Sequence, residues 1–391
     1  MKFKKLLLVL LIGIVILSGC SKKKTNPKKE PEKKLPAVEE KSIESVNDLT
    51  YDLFKNSFKS DENLLLSPYS LYELMSMIYN ASGGTTEQQI KDFLTLPVKE
   101  ETNINSKALR DNLVASKEIV SISNGVFMRN DFSFSNRIDS EFINPLKNYY
   151  DAEIKKTPFD NETVTEINNW IKSKTNGMIT KMLDEIPEEA VMYLINAVYF
   201  KGEWQNQFKE EDTFKELFNN KMVDMMHRYY TDFLYYSEKG VKVIQLPYQD
   251  KYAMNIYLKD DGEYENIDIK DLTEKLNGSY KQEISKLSLP KFTYETPLIL
   301  FNDYLSDIDI FDQSTNLDII GENIYVSKII HKAKIIVNEK GTEAAAVTIG
   351  GMETASAPAD IINFVVDKPF IYTIVHKDTG TILFIGYMNE I

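Results

Sequence analysis

An α+β fold is what this sequence predicts, and three observations lead to it. Apolar residues recur at helical spacing through the first half; short β-rich runs replace them from about residue 190; and no second linker divides the long body that follows the N-terminal segment. Length alone suggests two domains. With no Pro-, Gly- or Ser-rich break and no internal repeat, residues 43 to 391 are expected to form one large mixed domain.

The N-terminus stands outside that fold. Lys2, Lys4 and Lys5 precede an apolar run from Leu6 to Leu17 and a small-residue end at Cys20, which is the make-up of an export signal over residues 1 to 19. The run is short for a membrane span. Leu17-Ser18-Gly19-Cys20 resembles the bacterial lipobox, in which cleavage before the Cys leaves a thiol that carries lipid, and Cys20 is the only cysteine of 391 residues. A single thiol permits no intrachain disulfide. Residues 20 to 42 are dominated by Lys, Glu and Pro, so they are expected to tether rather than pack. Residues 1 to 41 carry 11 Lys against 4 Glu, which leaves about -20 on the remaining 350 residues of a chain whose net charge is -13. Such a body disfavours nucleic acid, whereas the basic tether favours an anionic membrane surface. The expected location is therefore the outer side of a bacterial cell membrane, anchored through Cys20.

Within the body, Leu49, Leu53, Phe54 and Phe58 predict a first helix, and Leu71, Leu74, Met75, Ile78 and Tyr79 a second after Ser67-Pro68. Gly83-Gly84 ends the second, and Thr85 is a candidate cap for TTEQQIKDFL. Thr163 to Lys174 reads as a further amphipathic helix. AVMYLINAVYF, KVIQLPY, YAMNIYLK and KLSLPKF read as strands, and INFVVDKPFIYTIVH and TILFIGYM flank KDTG as a hairpin.

Conventional active sites are not apparent. His227, His331 and His376 show no metal-ligand spacing, so no metal and no cofactor are expected, and there is no GxSxG, P-loop or GxGxxG. Acidic chains bring carboxylates into pairs by chance. The informative stretch is 341 to 360, GTEAAAVTIGGMETASAPAD, with almost no bulk and three charges. As an exposed loop it is easily cut. As a strand it places Thr342, Ala344, Ala346 and Thr348 on one small uncharged face and Glu343, Ala345 and Val347 on the other.

Glu339-Lys340-Gly341-Thr342-Glu343-Ala344-Ala345-Ala346-Val347-Thr348 resembles the reactive-loop hinge of the serpins, the serine protease inhibitor family. Asn63-Leu64-Leu65-Leu66-Ser67-Pro68-Tyr69-Ser70 with NASGGTTEQQI, Asn196 to Trp204 (NAVYFKGEW), Ile330-His331-Lys332-Ala333, Asp367-Lys368-Pro369-Phe370 and Leu383-Phe384-Ile385-Gly386 also resemble serpin segments, in serpin order, over roughly 45 to 391. The resemblance implies a large central, mostly antiparallel sheet with smaller sheets, about eight or nine helices, and an exposed reactive loop at about 339 to 360. It implies a monomer, not an enzyme, that is attacked by a target serine protease and traps the acyl-enzyme by inserting the cut loop into that sheet.

Residue by residue, the resemblance implies that Ser67, Ser70, Asn196 and His331 form a polar network controlling sheet opening. Trp204, Lys291 and Glu339 would mark where the loop enters, with a Lys291-Glu339 ion pair. A cation at Thr342 would be buried unpaired and should convert an inhibitor into a substrate. Val347 replaces the commonest Ala, but on the outward face. Counting from Glu339 puts the scissile bond at Ala355-Ser356; counting back from Pro369 puts it about three residues later, and Thr354-Ala355 and Met352-Glu353 stay open. Ala at the cut suits elastase-like or subtilisin-like proteases, and no Arg or Lys between 341 and 360 invites a trypsin-like one. Glu353 leaves a glutamate-specific protease as a weaker option. The competing expectations are a non-inhibitory serpin-fold binding or chaperone-like protein, cleaved as a plain substrate, and, far behind, a lipid-anchored hydrolase.

Overall fold

The computed structural model describes residues 35–115, 119–342 and 361–391, and residues 36–391 pack as one unit. Helix α1 (Glu40–Ser57) buries Val46, Leu49, Leu53 and Phe54 along one stripe. Strand β1 (Leu64–Leu66) leads into α2 (Pro68–Ala81), where Pro68 supplies the first helical position without wasting an N–H. Every residue of α2 except Ser70 is buried, which makes it the helix behind the sheets, packed on strands from both halves of the chain. Next come α3 (Gly84–Phe93), α4 (Lys99–Leu113), β2 (Val120–Arg129), α5 (Asn144–Tyr150), β3 (Glu153–Thr157) and α6 (Asn161–Lys174). Asp160 caps α6 by accepting the backbone N–H groups of Glu162 and Thr163.

The second half is mainly strands: β4 (Met192–Phe200), β5 (Gly202–Glu203), β6 (Thr213–Phe218), β7 (Lys221–Glu238), β8 (Val241–Pro247) and β9 (Tyr252–Lys259). After α7 (Ile269–Asn277) follow β10 (Lys281–Pro290), β11 (Phe292–Glu295), β12 (Ile299–Leu300), β13 (Ile330–His331), β14 (Lys334–Asn338), β15 (Gly341–Thr342), β16 (Ile362–Val365), β17 (Phe370–His376) and β18 (Ile382–Met388). Seven α-helices thus lie among the described residues, with a π turn at Asp139–Ile143 and a 3-10 turn at Glu210–Asp212 besides.

Three of the sequence expectations differ in detail. Two strands, β2 and β3, fall in the half read as helical; residues 124 to 128 of β2 are buried on both faces of the strand, so its apolar residues need not alternate. INFVVDKPFIYTIVH is two strands rather than one, because β16 pairs with β10 whereas β17, beginning just past Pro369, pairs with β9 and β18. Gly83, whose N–H is satisfied by the Asn316 carbonyl, holds the cap position of α3, so Thr85 lies inside the first turn.

Four sheets result. One runs β1-β18-β17-β9-β8-β7-β10-β16 with β6 added on β7; the others are β3-β2-β4, β11-β14-β15-β5 and β12-β13. Pairing is antiparallel throughout except β2 with β3 and β10 with β16. Because β5 begins two residues beyond the end of β4, the three-stranded and four-stranded sheets are joined by one continuing strand.

Candidate functional site

The chain places a gap where those two sheets meet. Among the described residues β4 pairs with β2 alone, and β14 pairs with β11 on one edge and only at its end with β15 on the other. A cleft runs between Tyr193 to Asn196 of β4 and Lys328 to Lys332 on the opposite wall, with Ser70, Leu71 and Leu74 of α2 beneath. Its free volume is only about 40 Å³, room for a water or so. A further strand can enter only if the walls part.

At one end of the gap a short strand stands between the two edges. Gly341 and Thr342 form a strand between β14 and β5, antiparallel to both, with Thr342 opposite Val337 on one side and Gly202 on the other. Thr342 is 2 % exposed, and its Oγ1 lies 2.7 Å from the hydroxyl of fully buried Tyr248. Tyr248 stacks on Trp204 at 4.3 Å between centroids. The Trp204 indole N–H donates to the Asn338 carbonyl at 3.0 Å, and its backbone N–H to the Lys340 carbonyl at 2.8 Å, so Trp204 grips the turn on both sides. Gly341 has φ +153°, and a Cβ there would sit 2.0 Å from the Gly202 carbonyl oxygen, which admits no side chain.

Glu339 is buried at the same point. Lys291 Nζ donates to Glu339 Oε1 at 2.9 Å, and the Glu339 carbonyl accepts the Phe208 N–H. Burial pushes the Glu339 carboxyl up, but the Lys291 bond and its charge outweigh that and hold it below the usual carboxylate range. Trp204, Lys291 and Glu339 are therefore brought together around the base of the loop.

Lower down, Ser67, Ser70, Asn196 and His331 line one small cavity but bond as two pairs. The Ser67 backbone N–H donates to His331 Nε2 at 3.3 Å, and Ser70 Oγ bonds to Asn196 Oδ1. Burial depresses His331 to a pKa of about 4, against a hydrogen bond to the Leu65 backbone, so the ring is neutral. The ring stacks on Phe301. Ser67 makes no side-chain cap bond at the start of α2, and its buried hydroxyl has no protein partner.

Three participants escape a reading of the sequence. Asn124 of β2 stands directly opposite Asn196 of β4 and accepts its amide at 2.8 Å. Glu73 of α2 accepts from both of those asparagines. The Tyr248 hydroxyl is bonded to that of Thr342. The one available signal is a carboxylate in the apolar stretch LYELMSMIY. Hinge residues Glu343, Ala344, Ala345, Ala346, Val347 and Thr348, the expected bond Ala355-Ser356, and Cys20 lie outside the described residues. Among the described residues no cluster of three His, Cys, Asp or Glu could hold a metal ion, and no helix is long and apolar enough to cross a membrane.

Comparison with known proteins follows this geometry closely. A family model described as "Serpin (serine protease inhibitor)" matches residues 44–391. Serpin-Z10 of Arabidopsis thaliana is 32 % identical over 391 aligned residues, covering 90 % of this chain and 98 % of that protein. The leukocyte elastase inhibitor of Homo sapiens is 30 % identical over 358, covering 84 % and 93 %. Among solved structures, the native state of the thermophilic serpin tengpin superposes with a TM-score of 0.79 at 29 % identity, covering 92 % of this chain and 96 % of that one.

Proposed function

We propose that this chain, which belongs to the serpin family, is a suicide-substrate inhibitor of elastase-like or subtilisin-like serine proteases. One observation carries the reading: β15 occupies the first two positions of a strand site between β14 and β5, in register with both. Continuing that register, each further loop residue falls opposite the preceding residue of β4, and Met352 falls opposite Met192, where β4 begins. The small face of Thr342, Ala344, Ala346 and Thr348 would then turn onto α2 while Glu343 and Ala345 stay in water.

Ala355 lies three residues past Met352, so an acyl bond made there travels with the inserting strand the length of the slot. The 14 residues from Thr342 to Ala355, at ~3.3 Å each, span roughly 45 Å. Displacement on that scale drags the bound protease away from its docking position, and distortion of its Ser-His-Asp geometry leaves the acyl-enzyme unhydrolysed. The protease supplies the nucleophile and base; this chain supplies the bait, the slot and the driving energy of completing a sheet.

The export signal, Cys20 and the Lys-rich residues 20 to 42 support a lipid-anchored form, with the serpin domain of residues 43 to 391 outside a bacterial membrane acting as a monomer. The test is thermal unfolding before and after cleavage within 343 to 360. Insertion predicts a rise of more than about 10 °C in melting temperature, since completing a strand adds many backbone hydrogen bonds worth ~1 kcal/mol each. An unchanged or lowered value points to the other reading, a binding protein cut as a plain substrate.

A further inference from the structure

A buried carboxylate sits under the movable side of the slot. Glu73, on α2, is 1 % exposed. Its Oε1 accepts the Asn124 amide of β2 at 3.0 Å and its Oε2 accepts the Asn196 amide of β4 at 3.3 Å. Asn124 donates in turn to the Tyr150 carbonyl at the end of α5, and Asn196 is bonded to Ser70, one turn before Glu73. Tyr69, one turn back on the same helix, and Arg110 of α4 both favour the charged form of the same carboxylate. Arg110 is itself buried, with Nη1 lacking a partner.

This arrangement has a directional consequence. The sheet β3-β2-β4 forms one wall of the slot, and α2 forms its floor. Widening the slot by moving that sheet breaks amide-to-carboxylate bonds to a carboxylate that is itself 1 % exposed. We propose that Glu73 is a positioning residue for loop insertion, a clasp that ties β2 and β4 to α2 and sets how readily the slot opens. The inference rests on the inhibitory reading above. It concerns how fast the sheet admits a strand rather than how stable the fold is; burial pushes the Glu73 carboxyl up from its ordinary value, so neutralising it need not lower overall stability.

The donor pattern suggests the test. Glu73→Gln keeps the shape but offers an amide N–H where Asn196 also donates, so the clasp loses one bond. Asn196→Asp on that background restores the tie between α2 and β4 with donor and acceptor exchanged, the introduced glutamine amide giving to the introduced carboxylate that still accepts from Ser70, while the Asn196 bond to Asn124 within the sheet is lost. The full chain and both variants are incubated with a synthetic peptide spanning 342 to 353, and annealing is followed by native gel mobility and mass. Glu73→Gln is expected to anneal about tenfold faster or more than wild type, and the double variant several-fold more slowly than Glu73→Gln, because the tie to α2 is remade although the side-chain bond between β2 and β4 is not. Two results overturn the clasp while leaving the inhibitory reading intact: equal annealing rates in all three with a protease complex still formed, or a shift in melting temperature alone. Absence of annealing in every variant, together with no protease complex, removes both.

Discussion

Replacing Thr342 by Arg perturbs the hinge at the point where it already enters the sheet. Thr342 is 2 % exposed between Val337 and Gly202, and its hydroxyl is the partner of Tyr248, which is fully buried. Removing that hydroxyl leaves the Tyr248 hydroxyl unsatisfied at about 1–3 kcal/mol. The guanidinium must then either stay between the strands unpaired, at several kcal/mol, or leave for water and take β15 with it. Both routes make the first step of insertion uphill. If ~3 kcal/mol of this reaches the insertion barrier, insertion slows roughly 150-fold, while hydrolysis of the acyl bond by the protease keeps its own rate. The ratio of hydrolysis to trapping then rises about 150-fold, so a chain cleaved about once for every ten traps would be cleaved about fifteen times for each trap. The assay is the stoichiometry of inhibition of an elastase-like protease by wild type, Thr342→Arg and the hydroxyl-keeping Thr342→Ser. The serine variant should stay near wild type. An arginine variant that traps at the wild-type stoichiometry refutes the idea that seating Thr342 is the first step.

Other consequences follow from the same geometry. His331, lowered from 6.5 to about 4 by burial, favours the folded state fully above about pH 6.5, and this contribution is lost as pH falls through about 4. Its size is about 3 kcal/mol, so His331→Gln should flatten the acid limb of a urea-unfolding profile by about that much. Gly341→Ala places a Cβ against the Gly202 carbonyl, so hydrogen exchange at Lys340 to Thr342 should rise by an order of magnitude or more as β15 detaches. Lys291→Met strips Glu339 of its cation, and the chain should lose about 1–3 kcal/mol near neutral pH, the loss vanishing as pH falls through the depressed Glu339 pKa. On the proposed inhibitory reading, Ala355→Arg should redirect the chain to trypsin-like proteases, read as a reversal in the ratio of inhibition rate constants.

The alternation of small residues at 342, 344, 346 and 348 is a local signal, since a strand's two faces can be read two residues at a time, and the helical spacing of Leu49, Leu53 and Phe54 is another. Glu73 is different. It lies among apolar residues of α2, and only when β2 and β4 arrive from 51 and 123 positions away does a pair of asparagine amides reveal why a carboxylate is there. The division of the central sheet at β4 is likewise invisible in any one segment, because it depends on which strand edges remain unpaired after all the others have met. Strand β2 is hidden for a related reason: residues 124 to 128 are buried on both faces, so its pattern carries no alternation to distinguish it from a buried helix. The contact of Thr342 with Tyr248 joins residues 94 positions apart and requires the fold itself.

Trapping is the central claim, and its most direct measurement is to mix the full chain with elastase-, subtilisin-, trypsin- and glutamate-specific proteases, then examine the products under denaturing conditions. The account predicts a denaturant-resistant complex with the elastase- or subtilisin-like enzyme and, by mass spectrometry, a released C-terminal fragment beginning at Ser356. Cleavage between 343 and 360 by every enzyme, with no complex at any ratio, would contradict it and leave a serpin-fold protein that is a substrate only.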